Sequence, residues 1–108
     1  YNWSDQLDLT DDQKTKIDEI KLTSSKTSIQ RRNKINELEA QLTTLLSEDA
    51  INKSKVNTTI DEIGELKTED RKAMVEDHLK VRELLTEKQK IIFDQHNSAR
   101  KFRRARYY

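Results

Sequence analysis

Leu9-Thr10-Asp11-Asp12-Gln13-Lys14, near the start of the chain, and Leu85-Thr86-Glu87-Lys88-Gln89-Lys90, near its end, are two versions of one helix-start signal. In each, the threonine is placed to cap: its hydroxyl accepts from the amide three residues on, and the glutamine at that position reaches back to the threonine N–H. The agreement runs further, since Ile17-Asp18 in the first copy lines up with Phe93-Asp94 in the second. Two such boxes predict a helical protein whose first and last helices begin alike.

The composition agrees with that reading. Among 108 residues there is no proline and a single glycine, Gly64, so the turn chemistry of hairpins and sandwiches is missing. The chain is 32% hydrophobic and 38% charged, which leaves too little apolar material for a large core and favours long amphipathic helices sharing a narrow seam. So thin a hairpin is expected to bury more by dimerising. A net charge of +1 gives the whole chain no pull toward nucleic acid. The absence of cysteine excludes disulfides, thiolate metal sites and cysteine nucleophiles. No stretch approaches the ~18 apolar residues of a membrane span. A start at Tyr1 without methionine is read as a processed or trimmed form.

Residues 1–9 read as a lead-in, residues 10–98 as one helical domain and residues 99–108 as a basic tail. From Asp11 a helical pattern carries Ile17 and Ile20, thins between Lys21 and Lys34, and returns as Ile35, Leu38, Leu42 and Leu45, the three-and-four spacing of a packed seam. One helix of about 36 residues over 11–46 is favoured, with a bend at Ser24, Ser25, Thr27 and Ser28 as the alternative. Ser47 to Asn52 reads as the turn, with Asn52 as a cap. The seam resumes as Val56, Ile60 and Ile63, then Met74, Val81 and Leu84 or Leu85, while Lys67 and Asp70 fall near it and predict packing that is looser or faces a partner. Thr86 starts a short last helix after a sharp corner. The fold class predicted is all-α, a long antiparallel helical hairpin with a short C-terminal helix.

The charges lie in blocks. Residues 21–34 carry Lys21, Lys26, Arg31, Arg32 and Lys34 and no acid, whereas 61–70 carry Asp61, Glu62, Glu65, Glu69 and Asp70. An antiparallel hairpin sets these two blocks side by side and explains both. The tail is basic and aromatic, with Arg100, Lys101, Phe102, Arg103, Arg104, Arg106, Tyr107 and Tyr108. It is expected to be a disordered terminus; the functional alternative is an electrostatic arm for anionic lipid, nucleic acid or acidic clients.

With both L-T-x-x-Q boxes in view, the chain resembles the Spy/CpxP family of periplasmic proteins and is similar to related periplasmic heavy-metal sensors and resistance proteins. The stretches Ile60-Asp61-Glu62-Ile63-Gly64-Glu65-Leu66 and Val81-Arg82-Glu83-Leu84-Leu85-Thr86-Glu87-Lys88-Gln89-Lys90 carry the resemblance most closely, and it spans about residues 7–96. It implies a cradle-like homodimer in the periplasm that binds unfolded or partly folded proteins without ATP; some members restrain the periplasmic domain of a sensor kinase. The motif positions carried over are Leu9, Thr10, Gln13, Leu85, Thr86 and Gln89. Candidate client-binding residues are the apolar Leu22, Ile29 and Met74, with Arg31 and Arg32 of the basic block steering acidic partners.

The alternative function is a metal-responsive sensor or resistance protein. His78, one turn after Met74, and His96 are its candidate ligands, but no His-x-x-x-His pair supports them, and a metal site normally needs about three or four donors. No cofactor is expected. A structural helical interaction module and nucleic-acid binding through the tail are further rivals. No glycine-rich phosphate loop or nucleophile elbow is present, and neighbouring acids such as Asp11/Asp12 do not face each other on a helix, so no catalytic site is assigned.

Overall fold

A computed structural model describes residues 7–97. The chain is all-helical over that range: α1 runs Asp11–Leu46, α2 Lys53–Glu83 and α3 Glu87–Asn97. The residues expected in the tail, 99–108, lie outside the described part. The single-helix reading of 11–46 holds, with no break at the serine-rich stretch.

The helix ends follow from local chemistry. Thr10 caps α1 and Thr86 caps α3, and Asp11, Asp12 and Glu87 place negative charge in the first turns, where the helix dipole favours it. At the far end of α1, Ser47 Oγ donates to Thr43 O at 2.7 Å and Ser47 N to Thr44 O at 3.0 Å, closing the last turn. Asn52 caps α2, its Oδ1 accepting from Lys55 N at 3.1 Å.

The fold divides into two compact units, each built where α1 and α2 contact each other. The first comprises Tyr1–Ser24 with Met74–Tyr108. Its core gathers Leu7, Leu85 and Phe93, with Leu9, Val81 and Ile92 packed against them, and Ile17 is also buried. Ser24 Oγ donates to the Asp77 carboxylate across the helix pair. Leu7, read from sequence as part of a lead-in, is 4% exposed.

The second unit, Ser25–Ala73, contains the hairpin turn. Leu38 and Ile63 are buried, flanked by the half-buried Ile35, Leu42, Leu45, Val56 and Leu66. Two seam assignments need correcting. Ile60 is 48% exposed, and Thr59 takes the inward position instead, its hydroxyl satisfied by Lys55 O at 2.8 Å. A threonine that bonds its own preceding turn can be buried at little polar penalty, so an apolar count overlooks it. Asp70, expected near the seam with looser packing or a partner around it, is drawn in instead. It is buried, and Arg31 Nε donates to its Oδ1 at 3.0 Å, with Ser28 Oγ a weaker donor at 3.5 Å. Lys67 reaches Glu39 at 3.7 Å on the exposed flank. The basic block of α1 and the acidic block of α2 do therefore meet, and at Arg31–Asp70 they meet inside.

Removing one member of a buried ion pair strands the other charge away from water, whereas replacing both by apolar groups need not. Arg31→Met is expected to destabilise the protein by about 3 kcal/mol in urea denaturation, and Arg31→Met/Asp70→Leu to recover most of that loss. A double variant as unstable as the single one would show that the pair itself, not stranded Asp70, carries the energy.

Candidate functional site

The two capping boxes, far apart in sequence, are one structure in space. In the first, Gln13 N donates to Thr10 Oγ1 at 3.1 Å and Thr10 N to Gln13 Oε1 at 3.0 Å. In the second, Gln89 N donates to Thr86 Oγ1 at 3.3 Å and Thr86 N to Gln89 Oε1 at 2.9 Å. The first helical bonds follow directly, Lys14 N to Thr10 O and Lys90 N to Thr86 O at 3.0 and 2.8 Å.

The side-chain amides then face each other. Gln13 Nε2 donates to Gln89 Oε1 at 2.8 Å, and Gln89 Nε2 returns a bond to Gln13 Oε1 at 3.2 Å. The remaining hydrogens reach across to backbone: Gln13 Nε2 to Leu84 O at 2.8 Å, and Gln89 Nε2 to Leu7 O at 2.9 Å. A carboxamide has two donor hydrogens and an acceptor oxygen with two lone pairs. Here all four valences of both glutamines are used. This explains why the position is glutamine. A capping box accepts Glu or Gln equally well at its third helical position, but glutamate has no hydrogen to give to the opposite box. Sequence reasoning found both caps and missed the clasp between them, because each box is complete as a local motif.

The clasp ties the start of α1, the start of α3 and the chain leaving α2 to one point. Leu85, buried beneath it, is the motif leucine that supplies the apolar floor; Leu9, its counterpart, is half-buried. The correspondence continues at Ile17 and Phe93, both buried, and ends at the next residue. Asp18 is exposed, whereas Asp94 forms a two-pronged pair with Arg82, Nε to Oδ1 at 3.0 Å and Nη2 to Oδ2 at 3.0 Å. These hydrogen bonds hold the Asp94 carboxyl below its ordinary range and strengthen the proton affinity of Arg82. The Arg82–Asp94 pair was not anticipated from sequence.

The other sequence candidates are dispersed. In the first unit Leu22 is 62% exposed and Met74 half-buried; in the second Ile29 is 58% exposed, Arg32 exposed, and Arg31 engaged by Asp70. His78 stacks on Phe93, ring centroids 4.7 Å apart at 25°, so its ring serves the core, while His96 is exposed on α3. Among the described residues no group of three or more His, Cys, Asp or Glu side chains gathers to hold a metal ion.

Two outcomes test this geometry. Gln89→Glu keeps the cap acceptor but turns a carboxylate toward Leu7 O and Gln13 Oε1, and is expected to cost about 2–4 kcal/mol at pH 7. That deficit should narrow as pH falls, because the introduced carboxyl is pushed up by its acceptor neighbours and regains a donor on protonation. A Gln89→Glu protein as stable as wild type at neutral pH would rule the clasp out. For Asp94, a depressed carboxyl contributes stability above its unfolded pKa and loses it as pH falls through the folded value. The Asp94→Asn variant should therefore lose stability at neutral pH and show a flatter acid limb below about pH 4.

Comparison with curated proteins and with solved structures gave no match. The family model described as the LTXXQ motif family protein matches residues 2–97, which takes in both boxes and all three helices. With each glutamine of the motif capping its own helix and clasping the other, the chain belongs to the LTXXQ motif family.

Proposed function

We propose that the protein is a periplasmic, ATP-independent chaperone or envelope-stress adaptor that binds unfolded or partly folded proteins. The observation that carries this reading is the number of large apolar side chains left uncovered in a family whose resemblance points to client binding. The first unit exposes Leu22, Leu79 and Ile91; the second exposes Ile29, Leu46, Ile51 and Ile60. Scattered single apolar residues are ordinary on any surface, but seven among the described residues of so short a chain offer many weak apolar contacts. Such contacts suit a partner with no fixed shape.

Leu22 and Met74 in the first unit, and Ile29 in the second, are the proposed apolar contacts for clients. Arg32 supplies the steering charge of the second unit; Arg31 acts through its pair with Asp70. The working form is a homodimer, and the periplasmic domain of a sensor kinase is a second kind of partner. Among the described residues, no helix is long and apolar enough to cross a membrane. No enzymatic role is proposed. The metal-responsive alternative gains no support from the described residues, where His78 packs on Phe93.

The test is light scattering of a chemically denatured client diluted into buffer with a several-fold excess of the protein, with and without zinc. Suppression without zinc is expected, and it should weaken several-fold when Leu22 and Ile29 are both replaced by serine. Absence of suppression for every client tried would remove the chaperone reading. Suppression that appears only with zinc would promote the metal-responsive one.

A further inference from the structure

Leu7 stands apart from the other buried residues of its cluster. Leu85 is fixed between α2 and α3 and Phe93 lies within α3, whereas Leu7 precedes the first helix. Asp8 sits at φ 51°, a left-handed backbone that a residue with a Cβ adopts reluctantly, and Leu9 is half-buried. Among the described residues, the backbone tie of this strap is Leu7 O accepting from Gln89 Nε2 at 2.9 Å. The strap thus presents the buried Leu7 side chain, the half-buried Leu9 and one main-chain carbonyl. They meet an apolar recess formed by Leu85, Phe93, Val81 and Ile92, with a carboxamide donor at its rim.

We propose that this recess is a binding site for peptide segments bearing a branched aliphatic side chain, and that residues 7–9 are its internal occupant, displaced when a client binds. The inference rests on the chaperone reading and names the chemistry its clients would share. A carbonyl is offered by every residue of an unfolded chain, so the Gln89 donor is indifferent to sequence, while the recess selects for a side chain like that of leucine. Undocking the strap frees Asp8 from its left-handed backbone and returns Leu7 and Leu9 to water. The first effect favours exchange and the second opposes it, which keeps the occupant replaceable. The clasp survives the exchange, because the incoming carbonyl takes the bond that Leu7 O gave up and the Gln13–Gln89 pairing is untouched.

The probe is a fluorescently labelled peptide with the sequence of residues 1–9, titrated by anisotropy into the wild-type protein and into Leu7→Ala. A competing strap reduces apparent affinity by the fraction of molecules that are open, so the variant is expected to bind about tenfold more tightly. A peptide with aspartate at position 7 should bind neither protein. Should Leu7→Ala lose its helical circular-dichroism signal, Leu9→Ala, which trims a half-buried side chain at the edge of the same cluster, loosens the strap and is measured in its place. Equal or weaker peptide binding by the folded variant overturns the proposal. If the wild-type protein then still suppresses client aggregation, the chaperone reading stands without it. Tighter binding by a variant whose parent never suppresses aggregation keeps the peptide site and removes the chaperone reading.

Discussion

The reciprocal pairing of Gln13 and Gln89 is the constraint on which the first unit depends. Helix starts leave N–H groups without partners and helix ends leave carbonyls, and a junction where two helices begin and a third ends collects both kinds in one place. Leaving any of these groups buried and unpaired costs about 1–3 kcal/mol. A primary carboxamide is suited to such a junction because it donates and accepts from one rigid plane. Two facing each other form a closed pair, and their outer valences reach the Thr10 and Thr86 N–H groups and the carbonyls of Leu7 and Leu84. A single contact between two side chains thereby fixes the backbone on either side.

Much of this was legible in the sequence because much of it is local. A cap acts over three residues, so Thr10, Asn52 and Thr86 could be placed from their neighbours alone, and the bounds of α1 followed from them. The hairpin was legible for a related reason, since the spacing of Leu38, Leu42 and Leu45 reports a helix face whatever lies opposite. Long-range facts left no such trace. Nothing in L-T-x-x-Q says that one copy touches the other, and nothing near Leu7 distinguishes a docked leucine from one in a lead-in. Thr59 went unseen because seam reading counts apolar residues, and Asp70, placed near the seam, was not seen to be buried; both are buried polar groups whose partners are visible only in three dimensions. Ile60 was misplaced by a single position, an error of one helical step that carries a side chain from seam to surface.

The two units are held by different means. The first combines an apolar cluster with the clasp and with the Arg82–Asp94 pair joining α2 and α3. The second has a sparser apolar interior, Leu38 and Ile63, supplemented by Thr59 and the Arg31–Asp70 pair. Arg31–Asp70 is the more consequential of the two ion pairs. Its side chains are 15% and 8% exposed, whereas those of Arg82 and Asp94 are 39% and 45% exposed and open to screening by salt.

Directional polar contacts have a particular use in a protein that keeps aliphatic side chains on its surface. Apolar contacts are not directional, and a chain that relied on them alone to select its fold could bury Leu22, Ile29 or Ile91 in some alternative packing of similar energy. The clasp discriminates by geometry, since only one arrangement of the two boxes satisfies every valence. A register shift of one residue in α3 would separate the amides and leave several polar groups unpaired. With the fold selected in this way, exposed aliphatic residues need not contribute to its uniqueness and remain available to a partner. The same reasoning separates Leu7 from Leu85. Leu85 lies between the end of α2 and the cap of α3, whereas Leu7, among the described residues, is joined to that framework through its carbonyl, its side chain and the neighbouring Leu9, the kind of attachment that a passing peptide can reproduce.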